Sequence, residues 1–264
     1  MYIIPSEFSS FIEEDCDRLS FIQNFLNKNG LDSAIIQTEG KNHIYVKFLQ
    51  GQYNPLFRIK TVIAHYDRIG LGANDNSAAV FCLMEWAVKL FQSKMQHNIR
   101  LIFTDGEELG KSGVSEQGAF SLAQTFRRLG IINDDIFVFD CMGRGDVPIL
   151  TQTILPKKTS KKFVKAFSAL EQRARNLLYV SSNGKFFCLP CNYSDNASFI
   201  ANGIPAVAIT MLPSSEVSDV LQSLKPETWQ KFHTPEDNLQ SLMPSSFELF
   251  HKILKNLAEM KILL

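Results

Sequence analysis

His65-Tyr-Asp67, Asp75 within Gly72-Ala-Asn-Asp-Asn-Ser77, the pair Glu107-Glu108, Asp140 and His233 are the residues of this chain whose types could do chemistry together. Imidazole and carboxylate are the ordinary protein ligands of zinc, and a glutamate beside such an ion can serve as general base toward water. His65 and Asp67 stand two apart at the end of an apolar run, so their side chains point the same way. That places Asp67 to hold the second ring nitrogen of a ligating imidazole. Asp75 opens an apolar helix, where an unpaired buried carboxylate is expensive. A cation would resolve that cost, and Asp75 is the natural residue to bridge two of them. Asn74 or Asn76 is expected to cap the same helix.

Glu107 and Glu108 are adjacent like charges after a buried strand and oppose each other unless positive charge lies nearby. One as ligand and the other as base satisfies both. Asp140 ends the apolar run Ile136-Phe-Val-Phe139, and His233 opens the turn His-Thr-Pro-Glu-Asp237. Taken singly, each has a duller reading: a structural histidine, a helix cap, a solvated acid. Their coincidence at the ends of successive runs argues for hydrolytic metal chemistry. His43, His97 and His251 lack such neighbours and are expected to face solvent. Cys141 reads as a packed thiol. Cys188-Leu-Pro-Cys191 has no second Cys or His pair at zinc-knuckle spacing and reads as two thiols or a local disulfide in a pocket loop. Gly106 to Ser112 is one residue short of a phosphate loop, and its two carboxylates would repel phosphate.

The elements that must position these groups follow from periodicity. Three- and four-residue spacing of Phe8, Phe11, Ile12, Leu19, Ile22, Phe25 and Leu26 predicts a helix over 7–29 ending at Gly30. Short strands are expected at 34–37 and 44–48, then strong ones at 57–66, 99–103, 135–139 and 204–210, with a shorter one at 148–151. Helices are expected over 74–91, 114–129, 160–178 and 196–201, with a last one marked by Phe247, Phe250, Ile253, Leu254 and Leu257. Residues 1–56 form a helix and hairpin-like lead-in, and 213–232 a polar excursion near the site. Alternating strands and helices imply one α/β domain over 1–264, three layers deep: a central, mostly parallel sheet with helices on both faces. Ligands of such sheets bind at the carboxyl ends of the strands, which is where the candidates fall.

Composition narrows the function. Equal counts of 27 basic and 27 acidic residues, with no basic block, exclude a phosphate-reading surface, so no nucleic-acid partner is expected. Lys157-Lys158 and Lys161-Lys162 read as a solvated helix face. No apolar run approaches the roughly 20 residues that span a bilayer, and no membrane partner is expected. The N-terminus lacks a basic segment followed by an apolar one, and the five cysteines have no disulfide pattern; both favour the cytoplasm.

From about residue 57 onward, the ordered set His65-x-Asp67, Gly72-Ala-Asn-Asp75-Asn-Ser, Asp105-Gly-Glu107-Glu108-Leu-Gly, Phe139-Asp140-Cys-Met-Gly143-Arg-Gly145, Ser194-Asp195, Gly203-Ile-Pro205-Ala and His233-Thr-Pro-Glu-Asp237 resembles the zinc exopeptidase family of the bacterial leucyl aminopeptidases. That family also contains the animal-type glutaminyl cyclases. The resemblance implies a central mixed sheet and two zinc ions. One would be held by His65, Asp75 and Asp140, the other by Asp75, Glu108 and His233, with Glu107 as general base and Asp67 orienting His65. The substrate it implies is a peptide with a free N-terminus. The chain departs from the family at Asn196, where members often have histidine. The cyclase alternative implies one working zinc and pyroglutamate formation. Asn74 and Phe232 stand where cyclases have other residues, whereas Leu101 to Glu108 is close to cyclase wording. Phe186, Phe187, the Cys188 to Cys191 loop, Tyr193 and Met211 are candidates for the pocket wall.

Overall fold

The computed structural model describes residues 2–264. Its frame is an eight-stranded sheet built from β1 (Ser33–Thr38), β2 (Lys41–Val46), β3 (Lys60–His65), β4 (Ile99–Thr104), β5 (Asp135–Phe139), β6 (Val147–Thr151), β7 (Phe187–Leu189) and β8 (Ala206–Leu212), in the spatial order β1-β2-β4-β3-β5-β8-β6-β7. The centre, β4-β3-β5-β8, is parallel, while β2 against β4 and β6 against β8 run antiparallel. The sheet is therefore mixed, as expected.

Period-2 alternation divides the core into two layers. Val62 and Ala64, Phe137 and Phe139, and Val207 and Ile209 face one side, where α1 (Ser6–Ile12), α2 (Arg18–Lys28), α3 (Ala78–Ser93), α5 (Lys161–Ser181) and α9 (Pro244–Glu259) pack. Ile63, Ile136, Val138, Ala206 and Ala208 face the other, against α4 (Gly118–Arg128) and α6 (Asn196–Ala201). The polar excursion folds into α7 (Val217–Leu221) and α8 (Glu227–Lys231). Arg144 ties it down, donating from Nε to Thr228 Oγ1 at 3.0 Å and from Nη1 to the Ser241 carbonyl at 3.1 Å. No helix among the described residues is long and apolar enough to cross a membrane.

Several expected boundaries move, each for a local reason. The helix expected over 7–29 breaks between Ile12 and Arg18, because the Asp17 carboxylate accepts the Ser20 N–H and starts a new helix there. Residues 114–116 form a short 3-10 turn, and α4 begins only at Gly118. A Cβ on Gly118 would lie 1.9 Å from the Asp105 carbonyl oxygen, so only glycine lets α4 start this close to the loop after β4. β7 adds an edge strand inside a stretch without a strand signature. Lys157, Lys158, Lys161 and Lys162 are exposed, as read from sequence.

The three remaining histidines do not face solvent in the way expected. His43 is buried, with Nε2 2.9 Å from Thr38 Oγ1 and Nδ1 accepting the Asp105 N–H. Buried His97 accepts the Ile99 N–H and lies edge-on to Phe48. His251 is half-buried against Glu85, 3.1 Å away. His43 and His251 find partners in Asp105 and Glu85, distant in sequence, whereas His97 is buried by packing against Phe48.

β3, the strand that delivers His65, is anchored at its start by Lys60. Its ammonium is buried and donates to the carbonyls of Leu257, Ala258 and Met260 at 2.8, 3.2 and 2.5 Å, closing the end of α9. Lys60→Met keeps the aliphatic stem but leaves these acceptors unpaired. At about 1–3 kcal/mol for a buried unsatisfied group, urea denaturation should show a loss of about 2–4 kcal/mol. A loss below about 0.5 kcal/mol would mean that water replaces the ammonium.

Candidate metal centre

The turn between β3 and α3 is the centre of the site. Ala73–Ser77 makes one irregular wide turn, with Asp75 (φ −107°, ψ 88°) and Asn76 outside helical geometry, and the Asp75–Asn76 peptide is cis. Regular helix starts only at Ala78. The turn is held from three sides. Asp237 accepts the N–H groups of Asn74 and Asp75 at 2.7 and 3.1 Å. Neither asparagine caps α3. Asn74 Oδ1 instead accepts the Gly143 N–H at 2.7 Å, while Asn76 accepts from Cys141 N and donates to the Phe139 carbonyl. The turn is thereby stitched to the end of β5, where Asp140 sits. On the third side Arg18, buried in the lead-in, donates to Ser77 Oγ at 2.9 Å, and Ser77 donates to the Gly72 carbonyl. Gly72 has φ +54°, and a Cβ there would lie 2.4 Å from the Asp75 carbonyl oxygen. Only glycine fits.

The sequence-derived candidates converge here. His65 Nε2 lies 3.3 Å from Asp75 Oδ1 and 3.5 Å from Asp140 Oδ1. His233 Nε2 lies 3.3 Å from Asp75 Oδ2 and 2.9 Å from Glu108 Oε2. Two groups, His65/Asp75/Asp140 and Asp75/Glu108/His233, each bring one donor atom per residue within 4.8 Å of the others, and Asp75 belongs to both. His65 Nε2 and Glu108 Oε1 are buried without a hydrogen-bond partner. Buried polar atoms are almost always paired, and these two unpartnered atoms fall one in each of the two donor groups that share Asp75. His233 takes its position in the left-handed region, φ +61°, a conformation uncommon for non-glycine residues.

Asp67 departs from expectation in one respect. His65 Nδ1 is closer to the Asp67 backbone carbonyl (3.1 Å) than to its carboxylate (3.5 Å). The carboxylate accepts the N–H groups of Glu107 and Glu108 at 3.1 and 3.0 Å. Asp67 thus places both glutamates as well as steadying His65. Glu107 Oε1 accepts from Gln117 Nε2 at 2.8 Å, and Gln117 in turn accepts from Ser198 at 2.7 Å. Sequence reasoning gave no role to Gln117, Ser198 or Arg18, and named Asp237 only within a motif.

Electrostatics follow from crowding. Burial pushes Glu107 up to about 9, with Asp140, Asp195 and Asp75 adding to it against the pull of His65. Burial and Asp75 push Glu108 up to about 7. Burial opposes the charge of His65, but Asp140, Asp67 and Asp75 outweigh it and raise the imidazole well above its ordinary value. Asp75 is likewise buried, yet His233 and His65 hold its carboxyl below the usual range. Asp195, which takes a 2.5 Å hydrogen bond from Thr104 and has Oδ1 unpartnered, is pushed up to about 7 by burial. The protein alone therefore gathers more negative charge than it balances. Asn196, at the position where histidine is common, accepts the Ser194 N–H.

A cavity of about 270 Å³ opens onto these groups and is walled by Thr151, Cys191, Tyr193, Ile209, Trp229 and Phe232, with Lys111 at its edge. Of the expected wall residues, Cys191 and Tyr193 line it. Phe186, Cys188 and Met211 pack against the main core, and Phe187 is exposed on the edge strand. Cys188 and Cys191 are both free thiols.

A mixed α/β sheet with histidines and carboxylates gathered at its strand ends has the layout of a hydrolase active site. The chain belongs to peptidase family M28, whose model matches residues 50–258. Its fold is similar to that of the LapA aminopeptidase of Legionella pneumophila, at 17% identity and TM-score 0.67 over 98% of this chain and 75% of that one. It is similar also to Porphyromonas gingivalis glutaminyl cyclase, at 18% identity and TM-score 0.63 over 96% and 94%. A third likeness is to BSAP, a zinc aminopeptidase from Bacillus subtilis, at 16% identity and TM-score 0.56 over 82% and 49%. No curated protein matches the sequence.

The placement of Asp75 makes a prediction about Asp237, whose carboxylate orients the turn. Outer partners of metal ligands are typically worth about 10- to 100-fold in metal affinity. Asp237→Ala should therefore weaken zinc binding by about that factor, read by competition against a chromophoric chelator. Unchanged affinity would show that Asn74, Asn76 and the Arg18–Ser77 contact hold the turn without it.

Proposed function

We propose that this protein is a zinc-dependent aminopeptidase that removes the N-terminal residue of peptides. His65, Asp75 and Asp140 would hold one zinc ion, and Asp75, Glu108 and His233 a second. Histidine and carboxylate donors suit zinc, though such mixed sets discriminate poorly against cobalt or manganese. Bound there, zinc supplies positive charge that polarises the scissile carbonyl, acidifies water and offsets the surplus of carboxylates.

The chain's own groups do the rest. Glu107, held by Gln117 and by the Asp67 carboxylate through its N–H, takes a proton from the attacking water and returns it to the leaving amine. The acidic floor of the pocket draws the positively charged α-amine of a peptide, and the small walled cavity admits one side chain. The observation that carries this reading over a glutaminyl cyclase is the unpartnered, fully buried His65 Nε2 facing Asp75 and Asp140. A single ion at Asp75, Glu108 and His233 would leave that nitrogen only its contacts with Asp75 and Asp140, and so a buried protonated imidazole in place of a ligand.

The test is mass spectrometry of a mixed peptide pool, glutamine at the N-terminus of some members, incubated with zinc-loaded protein. Loss of whole N-terminal residues supports the aminopeptidase and reports its preference. Loss of ammonia alone from the glutamine peptides would make the enzyme a cyclase.

A further inference from the structure

Outside the pocket, α3 and α9 bring together a second set of donors of a different kind. Cys82 and Glu85 stand one turn apart on the same face of α3, and His251 faces them from α9. A Cys82 sulfur, a Glu85 carboxylate oxygen and a His251 ring nitrogen all lie within 4.8 Å of one another. The N-terminal segment adds a fourth group. Tyr2 stacks on Phe247 with ring centres 5.1 Å apart, and its hydroxyl donates to Glu85 Oε2 at 2.8 Å, the oxygen that also faces His251 Nε2 at 3.1 Å. Cys82 is fully enclosed, while the Glu85 and His251 side chains keep about a fifth of their surface open, leaving a way in for a small ion.

We propose that Cys82, Glu85 and His251 form a second metal site, separate from the peptidase centre, that takes a zinc-class divalent cation with the Tyr2 hydroxyl beside its remaining position. Thiolate and imidazole together select zinc or cobalt over magnesium and calcium, which prefer oxygen donors. On binding, the Cys82 thiol gives its proton to solvent and the sulfur takes the vacated pair to the metal. The ion would clip α3, α9 and the N-terminal segment into one unit. Without it, Tyr2, Glu85 and His251 already satisfy one another, and the thiol merely packs. That is the alternative to be tested.

The inference does not rest on the proposed activity, and its readout is spectroscopic. The peptidase donors are nitrogen and oxygen only, so a thiolate ligand gives a signal they cannot. Full-length protein loaded with cobalt(II) should show a sulfur-to-cobalt charge-transfer absorption in the near ultraviolet. The absorption should vanish in Cys82→Ala and in His251→Ala and persist in His233→Ala. Bound zinc per chain, by elemental analysis, should fall by one equivalent in both Cys82→Ala and His251→Ala. His251 is partly exposed, so that variant keeps the test valid should Cys82→Ala fail to fold. Absence of the band, its persistence in Cys82→Ala, or unchanged zinc content in His251→Ala would overturn the proposal.

Discussion

Glu107→Gln should lower kcat by about 10²- to 10⁴-fold, the usual contribution of a general base, while leaving zinc content and folding intact. The substitution keeps the shape of the side chain. Its amide oxygen can still accept from Gln117 Nε2, which now reaches Glu107 at 2.8 Å, and the Glu107 N–H still reaches Asp67. Removing a carboxylate from among Asp75, Asp140 and Asp195 also relieves repulsion in a buried pocket. The apo protein should therefore be no less stable than the parent. What is lost is the ability to take and return a proton. KM should change little, because the base acts on water and the leaving amine and holds neither end of the peptide. Activity near the parent level would remove Glu107 from the reaction. Loss of one zinc equivalent would make it a ligand and shift the role of base to another carboxylate, with Asp195 the nearest candidate by burial and charge.

The readable parts of this molecule are those where local pattern and global position agree. Ile63, Val138 and Ala208 alternate with Val62, Phe139 and Ile209 on strands buried on both faces, so continuous apolar runs marked β3, β5 and β8 without ambiguity. The site candidates were legible for the same reason: His65 and Asp140 sit at or just after those runs, and the parallel register of β3 with β5 brings the ends together. The illegible parts depend on partners remote in sequence. The Ala73–Ser77 turn looks like the first turn of a helix until the Asp237 carboxylate, 162 residues away from Asp75, takes two of its N–H groups. His43 and His97 look solvated until Thr38, Asp105 and Phe48 close around them. Gln117 and Ser198 gave no signal because neither stands in a motif with a base or metal ligand; only the tertiary chain from Ser198 to Gln117 to Glu107 gives them a role. The break between α1 and α2 was within reach, since Asp17 followed three residues later by Ser20 is an ordinary helix start.

Asp75→Ala should be the most damaging single change at a proposed ligand, because Asp75 alone belongs to both donor groups. His65→Ala removes one donor from the first group and His233→Ala one from the second, so each is expected to lose one zinc equivalent. Asp75→Ala takes an oxygen from each and should lose both. Thermal unfolding gives a second reading. A ligand that binds only the folded state at about 100 times its Kd stabilises by about 2.7 kcal/mol. For a domain of this size that is a rise of about 6–10 °C in Tm. Zinc should raise the Tm of the parent protein by at least that much, and the rise should shrink in Asp75→Ala to whatever the separate Cys82, Glu85 and His251 group contributes. The zinc-free variant should also start lower. Asp75 is the counter-charge that both imidazoles face, and removing one partner of a buried pair costs about 3–5 kcal/mol when the other stays charged. Part of that is returned if His65 and His233 simply lose their protons. A variant that kept the parent's full zinc content would remove Asp75 from the ligand set and leave the surplus of carboxylates in this pocket balanced in some other way.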